Sequence, residues 1–263
     1  MQQHNYSIIA KPFSQQQNGL LLTQCKNSAF ANVYAAVRKA EGWDYDGAVL
    51  QSLPHVNTHD PLFNFWKSRN VSTQFLITYL REKNNQNLIL DVGCGNGWLT
   101  HLLATEFADT EFYGVDIFKE ELHKAANAFQ LANLNWIFGD VSDNLFQPKS
   151  FNTILLCASA QYFSDFINLM SQLQNYLADD GKIIIIDTPF YSESEFIKAK
   201  ERTIVYYNNL QFPEMSNHYH HRRYSDLQNL KFKLLYKPGW QNRLTHFISG
   251  KAIMQFPVIV LKK

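Results

Sequence analysis

Cysteine is scarce in this chain, three among 263 residues, and Cys25, Cys94 and Cys157 stand far apart. That excludes a disulfide framework and the clustered spacing of a zinc site, and it reads as thiols kept reduced inside a cell. An excess of charge is lacking too: 24 basic against 23 acidic side chains leave a formal +1. A surface built to neutralise phosphates needs a basic stripe, so nucleic acid and anionic membrane are excluded as expected partners and a small molecule is favoured. No apolar run approaches the ~18 residues of a membrane span. The opening "MQQHNYSIIAKPF" has neither the basic head nor the apolar core of a secretion signal. The expectation is a soluble, cytoplasmic protein, with no oligomeric state implied.

What is present in quantity is apolar and aromatic material, 46% and 14% of the residues. That is enough for a full core and suits a concave apolar pocket. Residues 1–27, rich in Gln and Asn, read as a poorly structured lead-in. Residues 28–84 read as a helical cap. Its first helix lies in "NSAFANVYAAVRKAEG", capped by Asn27 or Ser28 and stopped by Gly42, with a short helix before Pro54 and one or two more up to residue 84. From residue 85 to 263 short apolar runs alternate with helical segments. Runs such as Ile183 to Ile186 are apolar on both strand faces, as in a parallel sheet covered on both sides. The pattern predicts an α/β, Rossmann-like, doubly wound, seven-stranded and mostly parallel sheet. "KFKLLYK" and "QFPVIVLK" would close it as a C-terminal antiparallel hairpin. An insertion over about 190–224 reads as a lid: a helix broken by Pro213, with Ser225 capping the next one.

The densest signal is "LILDVGCGNGWLT", where a buried strand ends and a helix begins. Gly93, Gly95 and Gly97 stand at alternate positions after Asp91, where the backbone needs positive φ or a close neighbour. A dinucleotide fingerprint would space its glycines G-x-G-x-x-G and set a pyrophosphate on the helix N-terminus. A carboxylate two residues before the first glycine repels a diphosphate and suits an ammonium. Asp116, closing "FYGVD", is placed to accept both hydroxyls of a ribose. A nucleoside joined to an amino acid without phosphate meets both conditions, and S-adenosylmethionine is such a molecule.

On these residues the chain resembles the class I S-adenosylmethionine-dependent methyltransferases, most closely over residues 85–190. "LDVGCGNG", "VDI", "FGDV" and "FNTILLCASAQYF" occur in that family's order. The resemblance implies that the Gly93–Cys94–Gly95 backbone meets the methionine part, with Asp91 nearby. It places Asp116 on the ribose, Ile117 against the adenine, the Asp140 side chain on the adenine amino group and the Val141 amide on a ring nitrogen. The chain departs from the family at Phe151-Asn152, where Phe-Asp is common, and at Gln161-Tyr162, where many members carry a histidine pair.

Methyl transfer from a sulfonium needs alignment and exclusion of water more than acid–base groups. Catalytic candidates are accordingly few: Tyr162, and His218 or His220 in the unusual stretch "HYHHRRY". Two histidines without a third ligand make no metal site. Arg69, beside Trp66, would pair with the methionine carboxylate if its helix lies over the cofactor. Tyr191, Tyr206 and Tyr207 are candidates for the pocket wall. The expected activity is methylation of a small molecule at oxygen or nitrogen. An NAD-dependent oxidoreductase and a non-catalytic cofactor-binding scaffold are the alternatives.

Overall fold

A computed structural model describes residues 6–25, 29–83, 87–239 and 250–263. The expected cap at Asn27 or Ser28 lies outside the described residues. The chain forms helices α1 (Ala29–Ala40), α2 (Gly47–Ser52), α3 (Phe63–Arg81), α4 (Trp98–Glu106), α5 (Lys119–Ala128), α6 (Phe166–Tyr176) and α7 (Glu193–Asn209). Its main strands are β1 (Phe13–Gln15), β2 (Leu21–Thr23), β3 (Leu88–Val92), β4 (Glu111–Asp116), β5 (Leu134–Phe138), β6 (Phe151–Cys157) and β7 (Leu177–Ile186). Two short strands, β8 (Phe190–Tyr191) and β9 (Arg222–Arg223), precede β10 (Phe232–Tyr236) and β11 (Val258–Lys262).

One sheet runs β1-β2-β5-β4-β3-β6-β7-β11-β10. Pairing is parallel from β2 to β7 and antiparallel at β1–β2, β7–β11 and β11–β10. The seven-stranded α/β expectation and its closing hairpin therefore describe the sheet from β5 to β10, and two further strands extend it to nine. Those two correct the reading of residues 1–27 as lead-in. Gly19 turns the chain at φ +85°, and Leu20 and Leu21 that follow are fully buried. Leu21 and Leu22 pair with Ile137 and Phe138 of β5. A short apolar run after a glycine turn gained a sheet edge 115 residues away, where Thr23 also bonds the Phe138 carbonyl at 2.8 Å.

The alternation of strand side chains builds two cores. Ile154, Leu156, Ile183 and Ile185 face one layer, completed by Leu169, Met170 and Leu173 of α6. Leu155, Ile184 and Ile186 face the other, against α3, α4 and α5. Strand order reverses between β3 and β6, and at such a switch point the carboxyl ends of the strands leave a crevice. The glycine turn follows β3 there, facing Ala158 and Ser159 after β6. Beyond β7, Ser192 and Glu195 form a capping box that starts α7. Helix α7 ends before Pro213, as expected. Ser225 does not cap a helix: it lies within a short 3₁₀ turn, Tyr224–Leu227, and its hydroxyl bonds Glu193 Oε1.

Candidate functional site

The three glycines of the turn take φ of +72°, +56° and +76°, and they serve different purposes. A Cβ on Gly93 would lie 2.6 Å from Ser159 Cβ, and one on Gly97 2.3 Å from Trp136 Cη2. Those two glycines let the turn pack against its own protein. A Cβ on Gly95 would meet nothing within 4 Å, so Gly95 is the position left clear toward the crevice. The turn's amides are already engaged. Gly93 and Cys94 donate to the Val115 carbonyl at 2.9 and 3.2 Å, and Gly95 donates to Asp116 Oδ2 at 2.7 Å.

Asp116 therefore ties the two motifs together. Its Oδ1 accepts from the Phe118 amide at 2.9 Å, and each carboxylate oxygen keeps a lone pair for a further donor. Burial is the main influence on its carboxyl and raises the pKa to about 6 against the two amide bonds. Asp116, Ile117, Asp140 and Val141 line one cavity of about 490 Å³ with Gly93 and Gly95. The sequence-predicted nucleoside residues are thus brought together. Asp140 also orders its own turn, accepting from the Ser142 amide at 2.9 Å. The roof of this cavity was not foreseen: Tyr34 of α1 stacks on Phe118 at 4.4 Å, and Phe30 lies 4.9 Å from His218.

A second cavity, about 650 Å³, shares Gly93, Gly95, Tyr34, Ala158 and Tyr162 with the first. Both volumes fall in the ~300–1,000 Å³ range of small-molecule sites. Trp66, Arg69, Cys94 and Trp98 line it, as do Tyr191, Tyr206, Tyr207 and Tyr219. Arg69 is buried, with Nη1 2.6 Å from Asp187 Oδ2 in an ion contact outside hydrogen-bond alignment. Ser72 donates to the same oxygen at 2.8 Å. Asp91, 2% exposed, is not among the residues lining either cavity, and it feels the charge of Arg69. Its Oδ2 accepts from Thr100 at 2.7 Å, while Oδ1 is buried without a hydrogen-bond partner among the described residues. Burial raises this carboxyl to about 6, opposed by Thr100 and Arg69. A buried carboxylate oxygen with nothing on it is an unfilled acceptor, and it fits an ammonium.

Of the catalytic candidates, Tyr162 stands on the wall common to both cavities, its phenol pushed up by burial. His218 and His220 line the cavity of Asp116 and Asp140 instead. His220 also faces a wider outer groove of about 1220 Å³ that holds none of the glycine turn. Among the described residues no three His, Cys, Asp or Glu side chains converge as metal ligands. Gln161, in place of a family histidine, is a buried strut: it bonds the Ala158 carbonyl and accepts from Thr188 and, through its carbonyl, from His220. Asn152 accepts from the Asn87 and Leu88 amides, fixing the start of β3 far from the crevice. Sequence reasoning missed Tyr34, Arg38, Glu41, Asp187, Arg202 and Tyr219. Only the i, i+4, i+7 spacing of Tyr34, Arg38 and Glu41 marked them as one helix face.

A methyltransferase-domain family model matches residues 83–249. The fatty-acid O-methyltransferase of Mycolicibacterium smegmatis is 26% identical over 112 residues, 42% of this chain and 41% of that protein. The malonyl-[acyl-carrier protein] O-methyltransferase of Acetivibrio thermocellus is 30% identical over 93 residues, 35% of this chain and 32% of that protein. The chain thus matches less than half the length of these curated relatives. Among solved structures, the plantazolicin methyltransferase BpumL, in complex with a triazolic desmethylPZN analog and SAH, superposes with a TM-score of 0.53. It is 19% identical, covering 90% of this chain and 100% of that one, a likeness of fold.

Proposed function

Because the chain belongs to the methyltransferase-domain family as a class I S-adenosylmethionine-dependent member, we propose that it methylates a small-molecule acceptor held in the aromatic cavity. The observation that carries this reading is the shared wall: one cavity offers Asp116 and Asp140, the other is aromatic, and Gly95 and Tyr162 stand between them. When bound, the cofactor supplies an electrophilic methyl group on a sulfonium. The protein's own residues do the holding. Asp116 takes the ribose hydroxyls and Asp91 Oδ1 the ammonium, while Asp140, Val141 and Ile117 take the adenine. Arg69, whose guanidinium has donors beyond its contact with Asp187, takes the methionine carboxylate. Tyr162 and the aromatic walls align the acceptor and keep water out. Oxygen is the acceptor atom we favour over nitrogen, in line with the names of both relatives above. No described helix is long and apolar enough to cross a membrane, and we place the protein in the cytoplasm.

Calorimetry with S-adenosylhomocysteine and with NADH tests the reading. The first is expected to bind and the second not; the reverse would make the protein an oxidoreductase. Loss of the label from methyl-labelled cofactor across a metabolite panel separates an enzyme from a scaffold.

A pH dependence follows from the two buried acids. In the ligand-free protein both Asp91 and Asp116 are raised from 3.8 to about 6. For a raised acid, the contribution to folding stability is present in full below about pH 4 and is lost as pH rises through about 6. Cofactor binding needs both acids ionised and so runs the other way. Affinity for S-adenosylhomocysteine is expected to fall about tenfold per carboxylate between pH 7 and pH 5, and to level off just above pH 7, while the ligand's ammonium keeps its proton. Calorimetry across that range would refute the assignment if affinity were unchanged or rose in acid.

A further inference from the structure

Helix α7, 17 residues long, buries Ala199 and Tyr207 alone, whereas the 11 residues of α6 bury five. It carries large apolar side chains on the outside instead: Ile197 is 66% exposed, Val205 57% and Ile204 48%. Ile197, Lys200, Glu201 and Ile204 follow the i, i+3, i+4, i+7 spacing of one helix face. Such a patch is the one through which two helices cross. Lys200 and Glu201 are exposed and form no ion pair among the described residues; Lys200 lies over the Phe196 ring at 5.2 Å. Single exposed apolar residues are ordinary, but a cluster on one face marks an interaction site. We propose that the occupant of this face is a second copy of the chain, its α7 crossing the first antiparallel about a two-fold axis between Lys200 and Glu201.

The order of residues along the helix favours that partner and that axis. An axis there sets Ile197 against the second copy's Ile204 and Lys200 against its Glu201, each contact made twice. The other charges of the helix then meet neutral residues: Glu193 faces Asn208, Glu195 faces Tyr206, Lys198 faces Thr203 and Arg202 faces Ala199. Moving the axis onto Lys200 sets that lysine against itself, and moving it onto Glu201 does the same for the glutamate. A patch that matches its own rotated image, and penalises the neighbouring registers, is what an isologous dimer requires. Exposed ion pairs add little affinity, so the isoleucines supply the attraction and the charges fix the register. A lipid surface is the poorer fit, because Glu201 stands within the apolar patch.

The area is sufficient for a weak dimer. A helix of this length presents a strip roughly 25 Å by 10–12 Å. The outer groove adjoins it, lined by Lys200 and Ile204 and by Ile167 of α6, itself 57% exposed. With the groove about doubling that strip, two copies bury on the order of 1,200 Å², the lower end of specific interfaces. Thr203, Tyr206 and Tyr207 of the same helix line the aromatic cavity, so the pairing would hold that wall in place from outside.

The test is sedimentation of the full chain from about 1 to 200 µM, where a monomer–dimer equilibrium is expected. Ile204→Asp should weaken the dimer about tenfold or more. Glu201→Lys should do the same, since it gathers four lysines around the axis. Adding Lys200→Glu to Glu201→Lys rebuilds the pair in swapped form and should bring dimerisation back to within about threefold of the unmodified chain. A role confined to the fold of one copy would give no such rescue. Thermal unfolding checks that each variant is folded, and at these exposed positions Tm is expected to stay within a few degrees. A monomer at every concentration, a dimer indifferent to Ile204→Asp, or a swap that fails to rescue would overturn the inference. So would a monomer that co-sediments with phosphatidylcholine–phosphatidylglycerol vesicles, which would give the face to lipid.

Discussion

Asp116→Ala is expected to weaken binding of S-adenosylhomocysteine by about two to four orders of magnitude. Two effects combine. The variant removes the acceptor proposed for both ribose hydroxyls, each a charge-assisted hydrogen bond of about 1.5–3 kcal/mol. It also releases the Gly95 and Phe118 amides that now donate to the carboxylate at 2.7 and 2.9 Å. The turn would then have to be ordered by the ligand instead of waiting for it, a cost that appears as lost affinity. Asp116→Asn keeps the shape and serves as the control. Its amide nitrogen would face a backbone N–H, so affinity is expected to fall almost as far, and the pH dependence should shrink to the single contribution of Asp91. Calorimetry at pH 5 and pH 7 reads both effects. An Asp116→Ala protein with unchanged affinity would remove this acid from the nucleoside site.

The glycine turn yields the second large effect, as a contrast between two neighbours. Gly97→Ala forces a side chain into φ +76° and drives its Cβ to 2.3 Å from Trp136 Cη2 and 2.9 Å from Ala125 Cβ. Left-handed strain of ~1–2 kcal/mol and overpacking of ~1–3 kcal/mol sum to ~2–5 kcal/mol. For a chain of this length that lowers Tm by roughly 10 °C. Gly95→Ala meets no atom within 4 Å and carries the strain alone, so its Tm should drop by only a few degrees, at ~2–4 °C per kcal/mol. Its methyl group, however, projects into the space assigned to the cofactor, and binding of S-adenosylhomocysteine should be lost. Thermal unfolding with and without S-adenosylhomocysteine separates the two. If both variants lost equal stability, or if Gly95→Ala still gained Tm on adding the ligand, the division of labour among these glycines would be wrong.

What was legible in the sequence and what was not divides along sequence distance. The strands from β3 to β7 announced themselves because each carries its own apolar run and is bounded by its own turn, and Asp116 stood out because it ends such a run. The cavity lined by Asp116 and Asp140 is built from these local signals. The edge hairpin was missed because its first strand, Phe13–Gln15, is exposed at every residue. Only Leu20 and Leu21 betrayed the second, and their partner on β5 lies more than a hundred residues on. The aromatic cavity was hidden for the same reason. Arg69 meets Asp187 across α3 and the end of β7, and Tyr206 meets Glu41 across α7 and α1. No spacing rule links residues on helices whose relative placement comes from packing. Arg69 itself was noticed, but Asp187, which neutralises it, was not. Asp187 sits at φ +56° in the turn after β7, a conformation uncommon outside glycine and one that the residue type does not advertise.

The small parallel pairing of Phe190 with Arg222 and Tyr191 with Arg223 has a consequence for how such a protein diversifies. It brings the two ends of a thirty-residue excursion side by side, so everything between them leaves and rejoins the scaffold through one narrow neck. Arg202, Tyr206, Tyr207 and Tyr219 all belong to that excursion, whereas the glycine turn and both acids lie outside it. A replacement segment with compatible ends would exchange Tyr206, Tyr207 and Tyr219 as a unit, along with His218 and His220 at the other cavity, while the glycine turn and both acids stayed as they are. One wall of each cavity can thus drift quickly on a turn that does not change.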